Sequence, residues 1–419
     1  VLRNRGKSRD AGLMGFPSWI PALLGFLSAV GPISTDMYLP AFPAIDAALG
    51  GYKGSAQITL ATWFLGLAVG QLTQGTLSDR YGRRWPLIGG TMLYAVASAA
   101  CAVAPDLFTL AAARFFAGVG GSASMVIPRA IIRDLADGHA AARMMSKLML
   151  VMGAAPILAP SIGGLILLFG TWHMIFWIGA AYGAACGLVV FFFLPDTLPE
   201  TRRLKLGAGA LVARYFDIIP ERSFITHVLM GGFAMFAMFA FIGGSPSVFI
   251  ERYHLSPSLY GAIFGISACG LIFASQVNPR LLPRFGANRM LHVSVRVMLC
   301  GTLVLTFFAV TGWGGWPAIA IPIAITMSTQ GFTGPNATVG ALSRHAANAG
   351  SASALMGTIQ FLMGAVSGVV IGALSDGTAR PMAFLMLFGA TGAVICDLCR
   401  PKPRPVEAKE PALVAGKAS

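Results

Sequence analysis

Among the few ionisable residues inside long apolar stretches of this sequence, two stand out. Asp36 lies in Ser34-Thr-Asp36-Met-Tyr38-Leu-Pro40, and Arg114 opens Arg114-Phe-Phe-Ala-Gly118-Val-Gly120-Gly121. A charge placed in lipid is expensive, so each such residue is a functional candidate by default. A carboxylate and a guanidinium in a low-dielectric cavity attract strongly, and that attraction can be exchanged for protonation of the acid. The chemistry would be proton carriage, with Asp36 as carrier and Arg114 as its partner. At ~1.5 Å rise per helical residue, both fall within roughly 10 Å of the outer helix ends, at matched depth. Two plainer readings stand beside this one. The pair is a static ion pair joining two helices, or Asp36 is merely solvated at the headgroup boundary.

A denser group of charges occupies Gly75-Thr-Leu-Ser-Asp79-Arg80-Tyr-Gly82-Arg83-Arg84. It separates apolar runs 57–77 and 86–104, each long enough to span a bilayer. Gly82 supplies a tight bend without a side chain. Arg80, Arg83 and Arg84 hold that bend in the cytoplasm, where short cationic loops stay. Asp79 is the odd acid among them. The group is either a generic basic turn or a gate latch that engages other helix ends. Asp134, closing Arg129-Ala-Ile-Ile-Arg133-Asp134, is placed to meet Arg83 or Arg80. An exposed pair of that kind would contribute little.

Further along, Pro156 and Pro160 force a bend in the fifth apolar run, and Gly163-Gly164 lets a neighbour approach. The seventh run carries Phe233, Met235, Phe236, Met238, Phe239 and Phe241, a soft wall suited to varied apolar ligands or to lipid. The amides Gln71, Gln74, Gln330, Asn336 and Gln360 line a cavity or join helices. The candidate cavity residues are Tyr38, Phe236, Met238, Asn336 and Gln360. In the eleventh run, Gly350-Ser351-Ala-Ser353 reads as a helix start whose positive end an acid such as Asp79 could approach.

The elements that must position these residues are membrane helices. Of 419 residues, 56% are hydrophobic and 11% charged, about half the charge of an average soluble domain. Twelve apolar runs of spanning length follow one another. The net charge of +14 could suggest nucleic acid, but the cations fall in alternate loops. With both termini cytoplasmic, 24 Lys and Arg lie in cytoplasmic segments and only Lys53, Arg252 and Arg380 in outer loops. That distribution obeys the positive-inside rule. A basic arm (1–17) precedes six runs (18–194), a polar linker (195–222) and six more (223–399). The tail (400–419) has the composition of a disordered segment. Asp79-Arg-Tyr-Gly82-Arg-Arg has an echo in Pro283-Arg-Phe-Gly286-Ala-Asn-Arg289, which has lost its acid. Such repeats are expected of transporters. No phosphate-binding loop, His pair at metal-ligand spacing or nucleophile constellation occurs, so no enzyme, metal or cofactor is expected. The six cysteines are read as packing residues, Cys396-x-x-Cys399 included.

Taken together, these stretches resemble the major facilitator superfamily. The Gly75–Arg84 turn is similar to its G-x-L-x-D-R-x-G-R-R motif, and the fourth run to R-x-x-Q-G-x-G with Ala117 in place of Gln. The fifth run is similar to the antiporter motif G-P-x-x-G-G with Ala159 in place of the first Gly. Asp36-Met-Tyr-Leu-Pro, Gly244-Ser-Pro246, Pro335-Asn336-Ala337 and Ala349-Gly350-Ser-Ala-Ser-Ala narrow the resemblance to the bicyclomycin and chloramphenicol resistance (Bcr/CflA) exporters. The resemblance implies an all-α membrane protein, with twelve transmembrane helices in two six-helix bundles around a central cavity. It implies drug/proton antiport across a bacterial inner membrane, by a monomer that uses the proton gradient. Asp36 becomes the proton site, Arg114 its modulator, and Asp79 with Arg83 the cytoplasmic latch. The alternative cargo is a small metabolite such as an amino acid, dipeptide or sugar.

Overall fold

The computed structural model describes residues 19–50, 54–136, 138–203, 208–345 and 348–401. The expected arm at 1–17 and the tail beyond residue 401 lie outside the described residues. Helices form along the apolar runs, and eight of the described helices are long and apolar enough to cross a membrane.

The first crossing, helix 1 (Ile20–Leu49), departs from the sequence reading. It does not end near Leu39 but runs on as α1 (Ile20–Ser28), α2 (Val30–Thr35), a 3-10 turn at Leu39–Ala41 and α3 (Phe42–Ile45), then a wide turn to Gly50. Pro32, Pro40 and Pro43 each remove a backbone donor, so no continuous ladder can form. Asp36 closes α2, its amide bonded to the Pro32 carbonyl at 2.7 Å. It therefore lies at a joint well inside the crossing, not within a few residues of its end.

Helices α4 (Ser55–Tyr81), α5 (Arg84–Ala102), α6 (Leu107–Leu135), α7 (Gly138–Phe169) and α8 (Trp172–Phe193) complete the first half. The second half holds α10 (Arg222–Pro246), α11 (Pro257–Thr311), α12 (Gly315–Leu342), α13 (Ala349–Ala373) and α14 (Arg380–Cys399). The long α11 carries two apolar runs and breaks at Gly286, whose φ is 72°. The same left-handed geometry, φ 89°, ends α4 at Gly82, so the two echoing turns share a backbone device. Between the halves the linker folds partly into α9 (Ala208–Ile218). Side chains supply several starts: Asp106 accepts from the Thr109 amide at 2.8 Å before α6, and Glu221 from Phe224 at 2.6 Å before α10. At α13 the expectation fails, since the helix already begins at Ala349, and Ser351 and Ser353 lie inside it.

Small residues set the packing. A Cβ on Gly66 would overlap the Phe115 carbonyl, and one on Gly118 the Trp63 carbonyl, so α4 and α6 meet backbone to backbone. The amides join helices. Gln330 donates to the Ala234 carbonyl at 2.6 Å, Asn336 to Asn278 at 2.8 Å, and Gln74 reaches the Val119 carbonyl at 3.5 Å. The halves meet where α4 lies along α13 and α7 along α11. One apolar core is shared by both halves around Tyr38, Phe42 and Phe176 on one side and Phe241, Phe249 and Tyr260 on the other. At the end carrying the Gly82 turn the cores are separate: Leu24, Leu87, Ile131 and Val190 in the first half, Met230, Leu291, Val295 and Met298 in the second. That end is called the basic end below.

Candidate functional site

Between the halves lies a cavity of about 250 Å³. Its walls come from helix 1, α4, α6 and α7 on one side and from α10, α11, α12 and α13 on the other. Met125, Met152, Met235, Met238 and Met327 supply flexible thioethers. Phe64, Phe239 and Phe361 form a ring cluster across the interface, with Phe64 and Phe239 centroids 4.0 Å apart. The polar lining reduces to Thr35, Asp36 and Ser267. Asp36 is the single ionisable group on the wall. It is 6% exposed, and its carboxylate has no ion pair or hydrogen bond among the described residues.

Arg114 does not complete an ion pair with Asp36. It donates to the Ser34 carbonyl at 3.0 Å, two residues along the same chain. Its guanidinium stacks over Tyr38, Trp63 and Phe176, with centroid distances of 4.6, 5.0 and 5.8 Å. Its Nε and Nη2 are buried without a hydrogen-bond partner. The ring faces take that place, because an aromatic quadrupole attracts a desolvated cation by about 2 kcal/mol. Second bonds fix the cage: Tyr38 meets Thr59 at 2.6 Å, and Trp63 donates to Thr35 at 3.1 Å. The static ion pair is thus not what joins helix 1 to α6. The joint is a carbonyl and three rings, and the acid is left facing the cavity.

The other candidate cavity residues are placed as follows. Met238 lines the cavity. Phe236 turns away and packs on Phe388 at 5.4 Å. Tyr38 belongs to the arginine cage, and Asn336 to the joint with Asn278. Gln360 lies against Gly231 and is not on the cavity wall. The wall of α10 is Met235, Met238, Phe239 and Ile242, at helical spacing on one face, with Phe241 beside them. That spacing is present in the sequence, but the whole run is apolar, so nothing marks its phase.

At the basic end Arg83 gathers the acids. Its Nε donates to Asp134 at 2.7 Å, Nη2 approaches the second Asp134 oxygen at 3.4 Å, and Nη1 binds Asp79 and Ser78. Of the two arginines considered, Asp134 thus meets Arg83. Arg80 is exposed over the Tyr81 ring, and Arg84 reaches the Phe191 carbonyl at 2.5 Å. Gly75 packs on Val126. Sequence reasoning missed Asp196. Its carboxylate accepts from the Arg83 amide at 2.8 Å and pairs with Arg203 at 3.0 Å, and it fills the space a Cβ on Gly82 would need. A lone acid after a predicted helix end carried no marker of this role. Asp79 is spent on Arg83 rather than on the start of α13.

The proline-bearing α7 touches three parts. Pro156 lines the cavity, and Pro160 is buried beside Ala159. A Cβ on Gly163 would overlap the Met37 carbonyl of helix 1, and one on Gly164 would crowd Pro257 of α11. Among the described residues no group of His, Cys, Asp and Glu could hold a metal ion.

A helical protein of two halves, crossing a membrane many times around a small-molecule cavity, is a multi-pass transporter. The model of the Major Facilitator Superfamily matches residues 24–368, and the chain belongs to that superfamily. It is 35% identical over 370 residues to the "Uncharacterized MFS-type transporter YdgK" of Bacillus subtilis, covering 88% of this chain and 92% of that one. It is 30% identical over 363 residues to a "Bicyclomycin resistance protein homolog" of Haemophilus influenzae, covering 87% and 91%. Among solved structures, a D-xylose-proton symporter superposes with a TM-score of 0.70 at 15% identity, covering 92% of this chain and 97% of that one. The chain is a transporter of this superfamily and not an enzyme, and some of its relatives are named as resistance proteins.

Proposed function

We propose that this chain is a proton-coupled antiporter that exports amphipathic antibiotics, of chloramphenicol or bicyclomycin type, from a bacterial cytoplasm. The observation that carries the proposal is Asp36, a buried carboxylate with no partner on a cavity wall of methionine and phenylalanine. A lone acid there can hold a proton or face a substrate, and each state excludes the other. The likeness to a bicyclomycin resistance homologue supports the cargo. The positive-inside rule puts the basic end and both termini in the cytoplasm of the inner membrane. The core shared at the other end and the separate cores at the basic end support a cavity reached from the cytoplasm.

The cycle follows from these parts. Deprotonated Asp36 receives an amphipathic substrate from the cytoplasm or inner leaflet. The halves rock about the contacts of α4 with α13 and of α7 with α11. Facing outward, Asp36 takes a proton, the substrate leaves, and the proton is carried in. The proton gradient supplies the energy, no cofactor takes part, and one chain suffices.

The test is proton movement in proteoliposomes on adding chloramphenicol, bicyclomycin or a dipeptide, with wild type beside Asp36→Asn. Drug-induced proton movement lost in the variant is the expected result. A response to the dipeptide alone would move the protein to metabolite export. Undiminished drug-coupled proton movement in Asp36→Asn would remove Asp36 from its role.

A further inference from the structure

A second concave surface lies on the outside of the second half, between the Gly286–Thr311 part of α11 and α12. It is a groove in two continuous parts of about 780 and 520 Å³, which share Val293, Val297 and Ile325. Its wall is apolar and exposed: Val293 is 52%, Val304 48%, Ile321 61% and Ile325 48% exposed. The floor dips at Gly301, where a Cβ would crowd Thr326 Oγ1. Trp313 stands at one end, as aromatic residues do at a membrane interface.

The basic end of the groove differs from an ordinary lipid-facing surface. Phe285 and Arg289 line it there. The guanidinium groups of Arg284 and Arg289 lie over the Phe285 ring at 5.3 and 5.6 Å. Neither has a carboxylate partner among the described residues, whereas Arg296, deeper in the groove, is committed to Asp397 at 3.1 Å. This turn is the echo that has lost its acid. The first copy spends its arginine on Asp79 and Asp134; the second leaves two cations beside an apolar channel. From Arg289 to Cys300 the helix rises about 16 Å, the depth of one leaflet.

We propose that this groove binds an anionic phospholipid of the leaflet at the basic end. The phosphate sits between Arg284 and Arg289, and one acyl chain lies along Val293, Val297, Cys300 and Ile325. Basic pockets between membrane helices select anionic headgroups by charge, and the apolar channel holds the chain that follows. The proposal does not depend on what the protein transports.

The test uses the full chain in phosphatidylethanolamine vesicles with trace phosphatidylglycerol, or phosphatidylcholine, carrying a photoreactive acyl chain. Adducts are mapped by peptide mass spectrometry. Each cation near an anionic lipid is worth about fivefold in occupancy. The phosphatidylglycerol probe should therefore mark residues 293–300 and 325 about tenfold or more above the phosphatidylcholine probe. Arg284→Gln with Arg289→Gln should abolish that preference, and the paired Lys substitutions should keep it. Both residues are exposed, so folding is retained, and an unchanged elution profile verifies it. Equal labelling by the two probes, or phosphatidylglycerol adducts no denser in the groove than on Phe192 of α8, would overturn the proposal.

Discussion

Arg114 holds helix 1 through the carbonyl of Ser34, at 3.0 Å, and not through a carboxylate. The distinction separates the two intramembrane charges by what each does. Arg114 is tied into the fold by a hydrogen bond and three rings, while the Asp36 carboxylate has no bonded partner among the described residues.

Stability therefore separates them. Arg114→Lys keeps the charge but loses the planar stack and the fixed donor. It should destabilise the protein by about 1–3 kcal/mol. Asp36→Asn removes a partnerless charge and should leave the melting temperature unchanged or raised. Thermal unfolding in detergent, followed by tryptophan fluorescence, checks both. A large loss in Asp36→Asn would mean a structural bond to Asp36.

The Arg83 latch should behave as a coupled pair. Arg83 and Asp134 bury most of their charged surface, with side chains 7% and 16% exposed. Removing either alone breaks a largely buried charge-assisted bond, at about 1–3 kcal/mol. A double-mutant cycle with Arg83→Gln and Asp134→Asn should show coupling of about 1–2 kcal/mol. Additive effects would mean the two act separately.

Specificity should follow the α10 face. Phe239→Ala removes a ring from the cavity wall and should raise KM for a bulky aromatic substrate by about tenfold, at roughly 1.4 kcal/mol. Phe236→Ala opens a void against Phe388 and should lower stability with KM unchanged. Transport assays and thermal unfolding on both variants separate the outcomes.

The cap of α6 carries its own pH dependence. The backbone and side chain of Thr109 donate to Asp106 and hold its carboxyl below the usual carboxylate range. A group depressed in the folded state stabilises above its unfolded pKa of about 3.9 and loses that effect as pH falls through the folded value. Asp106→Asn keeps an accepting oxygen but should flatten this acid-side loss. Amide exchange at Thr109, followed from pH 6 to pH 3, reads the difference.

Much of this was legible in the sequence. Charges inside apolar runs mark Asp36 and Arg114, because such residues are rare in lipid, and a dense cluster of charges between two runs marks the Gly82 turn. The spanning helices followed from hydropathy alone. What stayed hidden depended on rotation and partners. An all-apolar run such as 233–242 gives no phase, so Phe236 was chosen where Phe239 faces the cavity. Asp36 and Arg114 were paired by depth and opposite charge, but aromatic rings, which carry no charge in the sequence, took the cation. Three prolines break the first crossing into short pieces, which continue past its apparent end at Leu39. Asp196 lay in a stretch read only as linker.

That last residue shortens the connection between the halves. Asp196 ties the chain to Gly82 and Arg83, and Arg203 ties back to Asp196, so residues 195–203 travel with the first half. Only four residues, 204–207, then separate this anchored piece from α9, and the five steps from Arg203 to Ala208 reach at most about 18 Å on any path. The rigid α9 adds about 16 Å. The connection is a short leash: it caps how far the halves can part at the basic end, whichever substrate is bound.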